Sequence, residues 1–159
     1  MEYTAFVADF ASRTLKNLDH VKNQERQGEN VYPVTQLWNS LLGLVVLSHE
    51  RVLRRLPKTT MSDASPIGWP LVTTAGTHPK SLPDLVRRLR NAVAHFNVDF
   101  NASEREIVSV TVWNEELDER RRPIPDSRGW VARIPVGELE DLARLIAETY
   151  VTEFGSTAA

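Results

Sequence analysis

The sequence predicts a mainly α protein, a bundle of about four helices with a β-hairpin inserted before the last of them. Three observations point there. Long stretches at both ends of the chain repeat apolar residues at helical spacing. The apolar run LLGLVVL, residues 41–47, lies inside a longer pattern of helical length. Residues 106–114 instead alternate as a strand does, and a second strand-like piece follows at 130–136.

The first helix places Tyr3, Phe6, Val7, Phe10, Leu18 and Val21 on one arc, with Glu2, Asp9, Arg13 and Lys16 largely off it. It is expected to end in the polar NQERQGEN near Gly28. Pro33, a favoured first-turn residue, opens a second helix through VTQLWNSLLGLVVLSHERVLRRL. A buried strand over Leu44–Leu47 is the competing reading, and the length of the surrounding pattern favours helix. Residues 57–80 hold four prolines and two glycines and read as a long loop, pinned to the core by Trp69 and Leu71.

Ser81 is placed to cap a third helix, with Pro83 just inside it, Asp84 in its first turn and an end near Phe96. EIVSVTVWN (106–114) then sets Val108, Val110 and Val112 against Ser109 and Thr111. The charged, proline-rich EELDERRRPIPDSRG leads to WVARIPV, which makes a two-stranded antiparallel hairpin with a long tip. GELEDLARLIAETYVTEF closes the chain as a fourth helix with Leu139, Leu142, Leu145, Ile146 and Tyr150 inward. Residues 1–155 are expected to form a single domain, and 156–159 a frayed tail.

Composition narrows the function classes. The formal charge of −2 argues against a surface that binds nucleic acid everywhere. The charge is uneven, however: Lys80, Arg87, Arg88 and Arg90 against Asp84 give +3 between residues 80 and 95, leaving −5 for the rest. The absence of cysteine excludes disulfides, thiol catalysis and cysteine metal sites. The acidic, amphipathic start MEYTAFVADF is unlike a signal peptide, and LLGLVVL is too short to cross a bilayer. A soluble cytoplasmic protein with no membrane partner is the expectation.

The basic segment sits on the third helix. At about 100° per residue, Leu82, Leu85, Val86, Leu89, Ala92, Val93 and Phe96 share an arc of about 120°, the expected core stripe. The opposite arc runs Arg90, Ala94, Arg87, Asn91, His95, Arg88. Asn91 and His95 are four apart and stack on one side, whereas Arg90 lies roughly 140° from His95. One straight helix therefore does not bring Arg90 and His95 onto the same small ligand. The small Ala94 between them permits a second element to approach, and a two-fold copy of the same helix satisfies that geometry. A solvated polar face is the plainer reading of the same pattern.

The stretch LRNAVAHFN resembles the signature of the HEPN superfamily, R-x-x-x-x-H with a polar residue after the arginine. The layout FVADFASRTLKNL, VTQLWNSLLGLVVLSHERV, LPDLVRRLRNAVAHFNV and VTVWN resembles a stand-alone, plasmid- and genome-borne HEPN subgroup over most of residues 3–150. The resemblance implies a helical bundle dimerising through the helix 81–96, with metal-independent endoribonuclease activity in toxin–antitoxin or phage-defence settings. It implies Arg90 and His95 as the catalytic pair, Asn91 as their support, RNA as substrate, no cofactor and a possible antitoxin protein as partner. HEPN toxins silenced by nucleotidylation carry a tyrosine two places after the histidine, and this chain departs from them with Asn97. Some family members have lost catalysis and bind RNA, nucleotides or proteins.

The residue types suit the chemistry. RNA is cut without metal when its 2′-hydroxyl attacks the adjacent phosphorus, and an imidazole is the side chain suited to take that proton near neutral pH. Arginine presents a planar fork of permanent donors to the extra charge on phosphorus. Arg87, Arg88 and Lys80 are the expected substrate-binding cations, and Glu50 the expected supporting residue behind the site.

Other patterns are weaker. HERVL (49–53) supplies half of a zinc-protease motif and has leucine where the second histidine belongs, so no metal site is expected. His20 and His78 read as surface histidines, DERRRP (118–123) as a solvated mixed run with an option on RNA phosphates, and no glycine-rich phosphate loop is present.

Overall fold

The computed structural model describes residues 3–47, 50–56, 72–104, 106–120, 122, 124 and 127–155. Its helices are α1 (Tyr3–Arg26), α2 (Pro33–Val46), α3 (Glu50–Arg55), α4 (Leu82–Ala94) and α5 (Val136–Phe154). Its strands are β1 (Val72–Ala75), β2 (Val98–Ser103), β3 (Glu106–Asn114) and β4 (Trp130–Pro135). The chain forms two compact units, residues 1–56 with 139–159, and residues 57–138.

The first unit is helical. Val7, Ala11 and Leu18 of α1, Leu41, Leu44 and Val45 of α2, and Ile146, Tyr150 and Phe154 of α5 are buried, each large apolar side chain contributing about 1.5–3 kcal/mol. Gly43 lets α1 and α2 approach closely, because a Cβ there would lie 2.5 Å from Cζ of Phe10. The Tyr150 hydroxyl donates to the Leu44 carbonyl at 3.4 Å, and the Arg55 guanidinium lies 5.2 Å from the centre of the Phe154 ring.

The mainly α expectation holds, with five helices among the described residues where the sequence predicts about four. The expected second helix is divided: α2 ends at Val46, Leu47 turns, and α3 starts at Glu50. Leu44, Val45 and Val46 are helical, so the strand alternative fails there. Tyr3 and Phe6 are 44% and 43% exposed, and the buried stripe of α1 runs instead through Val7, Ala8, Ala11, Thr14 and Leu18. Leu145 is only half-buried, while Ala143 and Ala147 take inner positions on α5. Buried alanines of this kind are passed over by a search for large apolar side chains.

The second unit is a four-stranded antiparallel sheet, in the order β1-β4-β3-β2, with α4 packed on β3. The expected hairpin is its centre, β3 pairing β4 with Val110 opposite Ile134 and Val112 opposite Ala132. All four of these side chains are buried, as are Leu82, Leu85, Val86, Leu89 and Ala92 of α4. The sheet is not a simple insertion before the last helix. It also recruits β1 from ahead of α4 and β2 from behind it. Edge position explains the oversight: β2, VDFNAS, buries no side chain fully, and β1, VTTA, lies in a segment whose prolines and hydroxyls read as loop. Gly76, at φ 79°, ends β1 where a Cβ would fall 2.0 Å from the Gly129 carbonyl oxygen. Trp69, Leu71 and the tail 156–159 lie outside the described residues.

Candidate functional site

The helix that carries the motif is built as its sequence dictates. Ser81 adopts extended backbone and its hydroxyl accepts from the Asp84 N–H at 3.4 Å, with Pro83 in the first turn. Asp84 in turn accepts from the Lys80 N–H at 3.0 Å and from Arg88, at 3.3 Å from Nε and 3.2 Å from Nη2. Arg88 also donates from Nη1 to the Thr77 carbonyl at 2.8 Å, and its guanidinium lies 5.4 Å from the centre of the Trp130 ring. The guanidinium of Arg88 is thus engaged inside the unit, fastening the start of α4 to the sheet.

The other end of α4 is unusual. His95 is the C-cap, the Phe96 N–H donates to the Val93 carbonyl at 3.1 Å, and the Asn97 N–H donates to the Ala92 carbonyl at 2.8 Å. This is the paired Schellman pattern, whose closing residue needs a left-handed backbone and is most often glycine. Here that residue is Phe96, at φ 57°. The expected core position of Phe96 is therefore corrected: the helix ends before it, the reversal of φ swings it out of phase, and it is 90% exposed.

The reversal sets the site. The Trp113 N–H donates to the Asn97 carbonyl at 3.2 Å, and β2 then pairs with β3 from Val98 opposite Val112. Asn114, the last residue of β3, sends its side-chain amide back to the Arg88 carbonyl at 3.2 Å. Together these bonds hold the end of α4 against the chain leaving β3 and border a half-open surface cavity of about 150 Å³. Its lining is Asn91, His95, Asn97, Asn114, Glu115 and Leu117.

Asn91 and His95 thus share one cavity, as their spacing of four predicts. Both are exposed, and neither side chain makes a hydrogen bond among the described residues. Arg90 is half-buried and is not part of the lining. Arg87 is half-buried, Lys80 exposed just ahead of the cap, and Ala94 exposed on the outer face of α4. Glu50 opens α3 in the helical unit. Sequence reasoning missed Asn97 as a site residue, and likewise Asn114, Glu115 and Leu117. Their signal is positional, since Asn114 ends, and Glu115 and Leu117 follow, a strand that pairs with the chain leaving the motif helix.

The remaining charged features are local. Asp118 accepts from the Arg120 and Arg122 N–H groups at 2.9 and 2.8 Å and from Arg122 Nε at 2.9 Å, so part of DERRRP folds on itself. The backbone N–H of Arg122 holds the Asp118 carboxyl below its ordinary value. In the helical unit Glu140 accepts from Lys22 Nζ at 2.9 Å and from Arg144 Nε at 2.9 Å, and Asp19 accepts from Arg144 at 2.7 Å. Burial works against the Glu140 charge, yet the hydrogen bonds from Lys22 and Arg144 outweigh it and hold the carboxyl below its ordinary range. His20 and His78 are exposed, and His49 lies outside the described residues. Among the described residues no cluster of His, Asp or Glu is placed to hold a metal ion, and no helix is long and apolar enough to cross a membrane.

A helix running into Arg-Asn-Ala-Val-Ala-His, in a mainly helical chain with a small sheet, is the arrangement in which the HEPN resemblance lies. The chain matches the family HEPN pEK499 p136 over residues 1–156 and belongs to it. No curated protein and no solved structure matches the chain.

Proposed function

We propose that this HEPN protein is a metal-independent endoribonuclease of the toxin or phage-defence type. The observation that carries the reading is His95, an exposed imidazole with no hydrogen-bond partner among the described residues, sharing a pocket with Asn91 at the end of the arginine-bearing α4. In the reaction a base removes the proton of a ribose 2′-hydroxyl, the freed oxygen attacks phosphorus, and the bond to the 5′-oxygen breaks as an acid protonates it. His95 takes one of these proton-transfer roles. Asn91, a turn earlier, orients the ring or binds phosphate. Arg90 stabilises the charge gathering on phosphorus, and Arg87 and Lys80 hold the strand.

Arg90 lies outside the cavity that His95 lines, so the reading assigns the phosphate-binding guanidinium to a second copy of α4 approaching over Ala94. Mixing an inactive Arg90→Ala chain with an inactive His95→Ala chain then restores cleavage, because one composite site per mixed dimer is intact. The same separation of Arg90 from the cavity is what favours a second reading, a non-catalytic module that binds RNA, a nucleotide or a protein partner. Product chemistry discriminates the two. The enzyme leaves 2′,3′-cyclic phosphate and 5′-hydroxyl ends in the presence of EDTA, whereas the module binds RNA and leaves it whole. Growth arrest on induction, abolished by His95→Ala, is the expected sign of a toxin.

A further inference from the structure

The lining of the cavity beside His95 is more particular than phosphate binding needs. A volume of about 150 Å³ is room for about five waters, too much for one ion and less than the roughly 300–1,000 Å³ of pockets for larger ligands. Three of its six lining residues are asparagines, one is a carboxylate, and one is leucine. The side chains of Asn91, Asn97 and Glu115 make no hydrogen bonds among the described residues, and Asn114 has committed only its NH₂ to Arg88. Uncommitted amides, a carboxylate and an apolar side chain suit a planar ring with a hydrogen-bonding edge.

Glu115 decides which ring. A carboxylate in a site for a polyanion is repelled by every phosphate, so its presence calls for donors on the ligand. Ionised, it offers two parallel acceptors and no donor. Guanine alone among the four RNA bases presents two adjacent donors, N1–H and the N2 amine, on one edge. Adenine and cytosine pair one amine with a ring acceptor, and uracil flanks its single N–H with two carbonyls. Guanine also carries O6 and N7 acceptors on its other edge, which suit the amide N–H groups of Asn91 and Asn97. Reading of an unstacked base by its Watson–Crick edge is the usual mode for single-stranded RNA.

We propose that the cavity of Asn91, Asn97, Asn114 and Glu115 is a guanine-specificity subsite that seats a base of single-stranded RNA next to His95. The inference rests on the ribonuclease reading for the identity of the ligand as RNA. Its test is therefore a binding measurement that does not need cleavage. The full chain is titrated with guanosine, adenosine, cytidine and uridine 3′-monophosphates, followed by calorimetry and by backbone NMR shifts of Asn97 and Glu115. Guanosine monophosphate binds at least about tenfold more tightly than the others. Inosine monophosphate, which lacks the N2 amine, loses most of that preference, and so does Glu115→Gln at unchanged melting temperature. Equal binding of the four nucleotides, no binding, or a guanine preference that survives both Glu115→Gln and the change to inosine overturns the proposal. Cleavage of one RNA of mixed sequence separates the two readings. RNA cut without regard to guanine removes the subsite and leaves the ribonuclease, while guanine binding with no cleavage in any condition removes the ribonuclease and leaves the subsite.

Discussion

The side-chain amide of Asn114 donates to the main-chain carbonyl of Arg88 at 3.2 Å, joining the last residue of β3 to the middle of α4. The helix carbonyl uses its second lone pair, so the bond is added without disturbing the helix. Removing it loosens the wall of the cavity that holds His95. Asn114→Ala is expected to lower stability by about 1 kcal/mol, read as a shift in denaturant midpoint. On the proposed ribonuclease reading the variant is also expected to cleave RNA more slowly, because Asn114 shares the cavity lining with His95 and its neighbour Glu115.

Phe96 combines two costs, a left-handed backbone and a 90% exposed aromatic ring. Backbone outliers of this kind point to a role in function. Asparagine tolerates the left-handed region and sacrifices no burial here, so Phe96→Asn is expected to raise stability by a few tenths to about 1 kcal/mol. RNA affinity moves the other way if the ring stacks on a base, by about fivefold to a hundredfold. Chemical denaturation and a fluorescence binding assay on the same variant read both effects, and stability and affinity rising together would show that the ring serves something other than RNA.

Gly76 is required twice over, by its φ of 79° and by the Gly129 carbonyl that occupies the place of a Cβ. Gly76→Ala is expected to cost well over about 1 kcal/mol and to detach β1 from β4. Amide exchange should report the loss at Val72, Thr73 and Ala75, the residues registered with Arg133, Ala132 and Val131.

Acid should weaken the helical unit through Glu140. Its carboxyl titrates below the ordinary value of 4.5 in the folded chain, so the unfolded chain binds the proton first as pH falls. The stability this group supplies is complete above about pH 4.5 and declines as pH falls through its lower folded value. Glu140→Gln removes that contribution, and melting temperature measured against pH should show a shallower acid limb than the unaltered chain.

Much of this architecture is written locally. Ser81, Pro83 and Asp84 announce the start of α4, and the spacing of Asn91 and His95 already places them on one side of it. The alternation of Val108, Val110 and Val112 gives away β3. What stayed hidden was non-local. β2 alternates Val98, Phe100 and Ala102 over only six residues and buries no side chain fully, so it depends on the edge that β3 offers, and β1 is a short β-branched run inside a proline-rich stretch. The left-handed turn at Phe96 was invisible because glycine is the residue that normally marks it. The same turn decides the site: it brings Asn97 and the chain after β3 beside His95, which no spacing within α4 reveals. The helical projection presents Arg87, Arg88 and Arg90 as one basic face, whereas the engagement of Arg88 by Asp84, Thr77 and Trp130 is a tertiary choice the projection does not contain.

The most direct test of the account is the rate at which purified wild-type and His95→Ala chains cleave one RNA in EDTA. His95 is exposed at a helix end, so the variant is expected to keep its fold and melting temperature. The account predicts steady cleavage by the wild type and a loss of at least about a hundredfold in the variant. A variant that cuts RNA as fast as the wild type would contradict it.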